Sequence, residues 1–399
     1  MKLWEKGYSL NGEIEAFTVG NDYLLDRRLV RYDCIASMAH ARMLGRMGIL
    51  SAKESREIIA ALGEIIELDS KGKFKISPGD EDCHTAIEGY LVNKLGDTGK
   101  KIHTARSRND QVLTALRLYY KAEIKETVSL CKGFLSALSA FRKKNRKVPM
   151  PGYTHMRKAM PSSMGMWADA FSESMSDNIA MMEFLQDLVD QSPLGTGAGY
   201  GLPIKLDREM TRKLLGFRRL QKSPIYAQNS RGKFEASILH GLGQIMLDLN
   251  RLSSDIILFS MPEFGYFILP KEMTTGSSIM PHKSNPDVLE LLRAKYHLLL
   301  SLESEVSGIS GNLISGYNRD LQLTKEPVIT GFDVAKESIS VASLLLSKMK
   351  ADKNRCEEGM SAELYSVQNA YSLVARGMPF RDAYKNVSLK FGKQAERTQ

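Results

Sequence analysis

The feature that most restricts how this chain can fold is a set of long apolar stripes at helical spacing. From Leu113 onward, Leu116, Tyr120, Ile124, Val128, Cys131, Leu135 and Leu138 follow one another in steps of three or four. Trp167, Phe171, Met175, Ile179, Met182, Leu185 and Val189 repeat the step, as do Phe234, Ile238, Leu242, Ile245, Leu249, Leu252, Ile256 and Phe259. A fourth run leads from Val288 through Leu292, Tyr296, Leu299, Leu302, Val306 and Ile309 to Leu313, and a weaker fifth covers 332–349. A period near 3.6 puts each set on one face of a helix, and such a face is stable only when another helix covers it. Period-two alternation of any length is hard to find. The expectation is an all-α protein built on a bundle of long helices. At about 1.5 Å per residue, helices of ~25–35 residues reach ~40–50 Å, more than a small domain spans. Burial against further copies of the chain is therefore expected, with a long monomeric bundle as the alternative.

The bundle is assigned to residues 111–355, between a smaller N-terminal helical domain (1–110) and a short C-terminal one (356–399). In the first, helices are expected over about 31–45 and 51–68, the second opened by Ser51 with Glu54 as its reciprocal cap. A third begins near Glu81 and sets His84 and Glu88 on one face. The C-terminal part holds two short helices split by Gly377-Met378-Pro379.

Composition removes several functions. The 55 Lys+Arg exceed the 46 Asp+Glu by 9, which would suit any anionic ligand, nucleic acid included. The basic residues are scattered, however, and the one dense run, Arg142-Lys143-Lys144 with Arg146-Lys147, falls where a helix should end and complements its dipole. No nucleic-acid partner is expected. Cys34, Cys83, Cys131 and Cys356 are isolated, which argues against a zinc ribbon or a disulfide framework and fits a reducing cytoplasm. The N-terminus has no apolar leader and no uncharged run could span a bilayer, so a soluble cytoplasmic protein without a membrane partner is expected. No His-x-x-x-His or carboxylate cluster suggests a metal.

The chemistry gathers in segments between the helices. Gly276-Ser277-Ser278-Ile279-Met280-Pro281-His282-Lys283-Ser284-Asn285-Pro286-Asp287 offers mobile hydroxyls, a cation and an amide. Asn285-Pro286-Asp287 also reads as N-cap, first helical residue and first-turn acid. An anion-handling lid and an ordinary capped loop share that composition. Lys101 to Gln111 packs Arg106, Ser107, Arg108, Asn109 and Asp110 at a helix start, a dense anion-binding set or a solvated turn. Pro149 to Met156 carries His155, the natural proton carrier near neutrality, although a lone histidine is often only structural. Gly316 to Glu326 is the last such segment. The glycine-rich Pro193–Gly201 lacks both the Gly-Lys-Ser/Thr of a phosphate loop and the dinucleotide spacing, so close backbone packing is the expected role.

Together these segments resemble a known family. Gly276 to Pro286 is similar to the Gly-Ser-Ser-x-Met-Pro-x-Lys-x-Asn signature of the fumarase/aspartase superfamily. His103-Thr104-x-Arg106-Ser107-Arg108-Asn109-Asp110-Gln111 resembles the segment distinctive of argininosuccinate lyases within it. Pro149 to His155, Pro193-Leu194-Gly195, Asn285 to Glu290 and Asp320-Leu321-Gln322 agree in the same order, and the likeness covers about residues 14–350. The resemblance implies an all-α homotetramer whose active sites each draw on three subunits. It also implies a carbon–nitrogen lyase that splits argininosuccinate into arginine and fumarate with no metal or cofactor.

The implied reaction is a β-elimination. Taking a proton from the carbon beside a carboxylate builds negative charge that preorganised cations must meet. The resemblance assigns the base to Ser277, anion contacts to Lys283 and Asn285, and the acid to His155 paired with Glu290. It assigns substrate contacts to Ser107, Arg108, Asn109, Thr154, Tyr317, Gln322 and Lys325, and another active-site position to His84. Departures stand beside these matches. Arg157 replaces a usual Gln, Ala105 a usual Gly, and Trp4-Glu5-Lys6-Gly7-Tyr8 a usual Trp-Gly-Gly-Arg-Phe. The run Val19 to Tyr23 does not align with the family's serine contact, and the chain ends well before a typical member. Adenylosuccinate lyase or fumarase chemistry, which the His103–Gln111 segment speaks against, and a silent crystallin-like structural protein are the alternatives.

Overall fold

The structure, a computed structural model, describes residues 11–395, with side chains through Phe391; the Trp4–Tyr8 departure lies outside them. Each apolar stripe is a long helix: Arg108–Asn145, Met164–Val189, Lys233–Phe259, Asp287–Ser310 and Lys325–Lys348. Leu116, Tyr120, Ile124, Met175, Met182, Ile238, Leu242, Leu249, Leu299 and Val306 are all buried, and each contributes roughly 1.5–3 kcal/mol by leaving water. The Arg108–Asn145 helix ends on Arg142, Lys143 and Lys144, as its dipole favours. The chain is all-α, with only short strand pairs added.

By compactness the chain divides into two units, and the partition runs across chain order. The first comprises 1–128, 180–242 and 299–334; the second comprises 129–179, 243–298 and 335–399. In the first, Val30–Arg46, Ala52–Ser70 and Cys83–Leu95 form the N-terminal helices. The middle one carries the expected reciprocal cap between Ser51 and Glu54. Long helices approach closely where glycines face side chains: a Cβ on Gly241 would lie 2.5 Å from Leu185 and one on Gly331 2.4 Å from Leu239.

In the second unit, Trp167 packs edge-on against Phe141 and Phe171 and tilts against Phe267. Its indole N–H donates to Asp255 at 3.0 Å. Asp248 accepts from Ser174 and Asn178, each at 2.6 Å. Lys353–Gly359, Ser366–Val374 and Phe380–Ala395 follow, the last two split at 377–379 as expected.

Two local features differ from the sequence reading. Residues 149–163 form an antiparallel hairpin, Pro149–Thr154 against Arg157–Ser163, not a plain linker. Thr154 pairs with Arg157, so His155 and Met156 make a two-residue turn, both at positive φ (51° and 58°). That geometry matches the twist of the strands but ordinarily takes Asn-Gly. Asn285, expected as a helix cap, instead pairs with Thr275 in a short strand, and its amide donates to the Gly276 carbonyl at 3.4 Å. The helix then starts at Asp287, with the Pro286 carbonyl accepting from Leu289 at 2.9 Å. The strand pair ties the loop shut at its base and shifts the helix start by one residue.

Candidate active site

In the first unit, residues distant in sequence meet around a cavity of about 520 Å³. It is lined by His84, Arg108, Asn109, Tyr317, Gln322 and Lys325 together with Asp22, Asp26, Glu81, Asp82, Arg231 and Arg319. Lys325, the first residue of its helix, is buried, with Nζ 2.5 Å from Asp26 and 3.1 Å from Asp22. The other oxygen of Asp26 accepts the Cys83 N–H at 3.0 Å, at the start of the Cys83–Leu95 helix. One carboxylate thus joins three chain segments at the cavity floor. Burial works against a charged Asp26, but the Lys325 ammonium and its hydrogen bond hold the carboxyl below its usual range.

His84 sits behind this floor with Nδ1 3.1 Å from Asp33, whose oxygens also accept from the Gln111 amide at 2.9 and 3.0 Å. Burial disfavours the imidazolium, and the carboxylates of Asp33, Asp82 and Asp26 outweigh it, so the His84 pKa is raised. Its Nε2 is buried without a partner. Arg108 reaches Glu81 and Asp82 at 3.5 and 3.4 Å. Gln322 donates to the Thr18 carbonyl at 3.1 Å, and Arg319 donates to the same oxygen at 2.8 Å. Ser107 does not line the cavity. It caps the Arg108–Asn145 helix, accepting from Asn109 N–H at 3.2 Å, while its own N–H donates to Asp110 at 3.0 Å.

Asp110 explains the glycine-rich segment. Its second oxygen accepts N–H groups from Gly195 (2.9 Å) and Gly197 (2.8 Å), so the loop cradles a carboxylate of its own chain. Both glycines have positive φ, which lets successive N–H groups converge on one anion. Burial pushes the Asp110 pKa up to about 6 against the pull of the three N–H donors.

A polar seam docks the Thr104–Gln111 segment onto the Val30–Arg46 helix. Asp33, Ser37 and His40 recur at helical spacing and are buried. Asp33 accepts from Gln111, Ser37 from Arg106 at 2.7 Å, and His40 Nε2 donates to the Thr104 carbonyl at 2.9 Å. Ala105 lies between them at φ 56°, a conformation the usual glycine would adopt more cheaply. Burial, with the Arg106 charge, lowers the His40 pKa to about 3. The unfolded chain therefore binds a proton here below about pH 6.5 that the folded chain refuses, and stability is lost as pH falls through that window. Asp110 acts oppositely, since its folded form keeps a proton to about pH 6. His40→Gln retains the N–H donor and removes the titration. We expect its urea midpoint to fall less than that of the wild type between about pH 6.5 and 4. Parallel profiles would show that His40 is not held neutral.

Asp26, Cys83 and His84 bring potential metal-ligand atoms within 4.8 Å of one another. A cation there would have to compete with Lys325 for Asp26. Burial also holds the Cys83 thiol well above its usual pKa.

The remaining expected site residues belong to the second unit. Thr154 and His155 are exposed at the hairpin tip. Ser277 is half-buried, its Oγ accepting N–H groups from Met280 at 3.0 Å and Ile279 at 3.3 Å. Lys283, Asn285 and Glu290 line a shallow cavity, with Lys283 and Glu290 exposed. His155 lines a different one, and among the described residues no ion pair or hydrogen bond joins it to Glu290. Sequence reasoning had not singled out Asp22, Asp26, Asp33, Arg231 or Arg319. The one available signal was the buried polar spacing of Asp33, Ser37 and His40.

The sequence matches a family described as Lyase over residues 15–297. It is 51% identical over 395 residues to an argininosuccinate lyase of Thermotoga neapolitana, covering 99% of each chain. The chain belongs to the argininosuccinate lyase family. A Phocaeicola vulgatus argininosuccinate lyase is 43% identical over 97% of this chain and 87% of its own length. The family's fold is shared by solved lyases at much lower identity. An EDDS lyase in complex with formate superposes with TM-score 0.81 at 23% identity, covering 98% of this chain and 78% of that one. A class II fumarase from Schistosoma mansoni superposes with TM-score 0.76 at 16% identity, covering 97% and 93%. No helix among the described residues is long and apolar enough to cross a membrane.

Proposed function

We propose that the chain catalyses β-elimination of argininosuccinate to arginine and fumarate. The observation that carries this reading is the 51% identity to an argininosuccinate lyase along essentially the whole chain. The chemistry of the cavity supports it: cationic Arg108 and Lys325 suit carboxylates, while Glu81, Asp82 and Asp22 suit a guanidinium or ammonium group.

In this reading Ser277 takes the proton. Serine is a weak base because its alkoxide is costly, so the site must stabilise that anion. The two backbone N–H groups on Ser277 Oγ favour the charged form, and Lys283 in the same loop adds positive charge. Lys283 and Asn285 hold the carboxylate on which charge develops. His155 then protonates the departing guanidinium nitrogen, assisted by Glu290.

Among the described residues His155 and Glu290 are not paired with each other, and the long helices expose Phe184, Leu291, Leu298 and Leu344. Large exposed apolar residues on long helices mark association surfaces. The reading is therefore a homotetramer in which neighbouring subunits bring the hairpin, the loop and the cavity together, working in the cytoplasm without a cofactor. The test supplies argininosuccinate, adenylosuccinate and malate separately, measures fumarate, and weighs the native particle. Fumarate from argininosuccinate alone and a mass of four 44.6 kDa chains are expected. Fumarate from another substrate instead, or an active monomer, overturns the reading.

A further inference from the structure

One guanidinium in the cavity wall has no role in the mechanism above. Arg231 follows the Pro224–Asn229 helix, is only 4% exposed and lines the cavity, yet its Nε is a buried donor without an acceptor. No carboxylate among the described residues forms an ion pair with it. Its charge acts on Asp22, Lys325 and Arg117, so it lies among charged groups, but these are engaged elsewhere. Asp22 lies against Lys325. Glu235, four residues on, accepts the Tyr120 hydroxyl at 2.8 Å and the Gly232 N–H at 2.6 Å. Arg117, buried still deeper, also leaves Nε and one terminal nitrogen without acceptors, but it stacks over Phe234 at 3.9 Å and donates to Ser230 at 2.8 Å. Arg231 has neither kind of support. With Nε buried and no anion beside it, this guanidinium leaves its other nitrogens to the cavity, and a nearly buried charge so placed calls for an anionic ligand.

The other charges in the wall decide which anion. A succinyl end offers carboxylates only, and these would meet Asp22, Glu81 and Asp82. An α-amino acid head offers a carboxylate beside an ammonium, which satisfies Arg231 and the Asp22 carboxylate together. We propose that Arg231 is a specificity-determining residue that binds the α-carboxylate of the substrate's arginine half, through the fork geometry that guanidinium and carboxylate share. The inference rests on the argininosuccinate reading and names the group by which the cavity tells that substrate from one lacking an amino-acid head.

The test compares arginine with agmatine, which keeps the guanidinium and lacks the α-carboxylate, by calorimetric titration of the whole protein. The wild type should bind arginine more tightly than agmatine. Arg231→Met should weaken arginine roughly 10- to 100-fold, the usual effect of a charge-assisted pair, and leave agmatine and fumarate binding unchanged. Arg231→Lys should recover part of the loss, since it keeps the charge without the fork. The melting temperature of Arg231→Met should hold or rise, because an uncompensated buried charge is removed. Four results each overturn the proposal: arginine affinity unchanged in Arg231→Met, an equal loss for agmatine, a loss for fumarate in place of arginine, or a lowered melting temperature, which would mark Arg231 as structural. A wild type that discriminates arginine from agmatine yet releases no fumarate from argininosuccinate refutes the lyase reading and leaves the Arg231 assignment standing.

Discussion

Lys325→Met should destabilise the folded chain by about 3–5 kcal/mol, the usual consequence of removing one partner from a buried ion pair. Lys325 and Asp26 are both essentially sealed from water, 2.5 Å apart, and Asp22 completes the cluster at 3.1 Å. Removing the ammonium leaves two carboxylates facing each other across a space that water enters poorly. The damage will not stay local, because Asp26 also holds the first N–H of the Cys83–Leu95 helix. The measurement is the urea midpoint at fixed protein concentration. Asp26→Asn placed in the same chain should restore most of the loss, since the amide keeps an acceptor for Cys83 and removes a charge. A Lys325→Met chain as stable as the wild type would mean that this cluster does not hold the three segments together. Activity should vanish in either variant, as Lys325 lines the cavity itself.

Ser277→Ala should lower fumarate release by about 10²–10⁴-fold, the range for loss of a positioned acid–base group. Its effect on stability should be slight. Among the described residues the hydroxyl accepts N–H groups from Ile279 and Met280 in an exposed loop, and such a bond contributes about 1 kcal/mol to the fold. The separation of the two effects is the diagnostic. Near wild-type turnover would remove Ser277 from the proton-abstraction step, and a collapse of stability would show that the hydroxyl serves the fold. His155→Asn offers a parallel measurement: Asn tolerates the left-handed backbone at this turn, so the hairpin survives while the proton donor is lost.

The helices were legible because each apolar stripe fixes its own period, and burial of Leu116, Ile124, Leu242 and Leu249 follows from that period alone. The hairpin was not, because Pro149, Pro151 and Pro161 interrupt the strands and a His-Met turn carries none of the usual hairpin chemistry. The cavity shows the same limit. Arg108, Asn109 and Lys325 could be named by resemblance, but nothing local in the sequence says that position 26 will meet positions 83 and 325. Long-range pairing of charges is a property of the packed chain. The glycine-rich loop was expected to serve close backbone packing between helices; that its N–H groups instead hold the Asp110 carboxylate became visible only when the helix start was in place.

The partition into two units leads to a last consequence, for how such a protein can be divided or recombined. The chain passes from one unit to the other at 128/129, 179/180, 242/243, 298/299 and 334/335, and every one of these points falls inside a long helix. Cutting the chain at any of them severs a continuous ladder of backbone hydrogen bonds and leaves two ragged ends, each with unsatisfied groups. Neither unit can be inherited, expressed or exchanged between relatives as a self-sufficient module. Chimeras between members of this family should tolerate junctions in the loops at the helix ends and reject those at the boundaries that compactness alone would suggest.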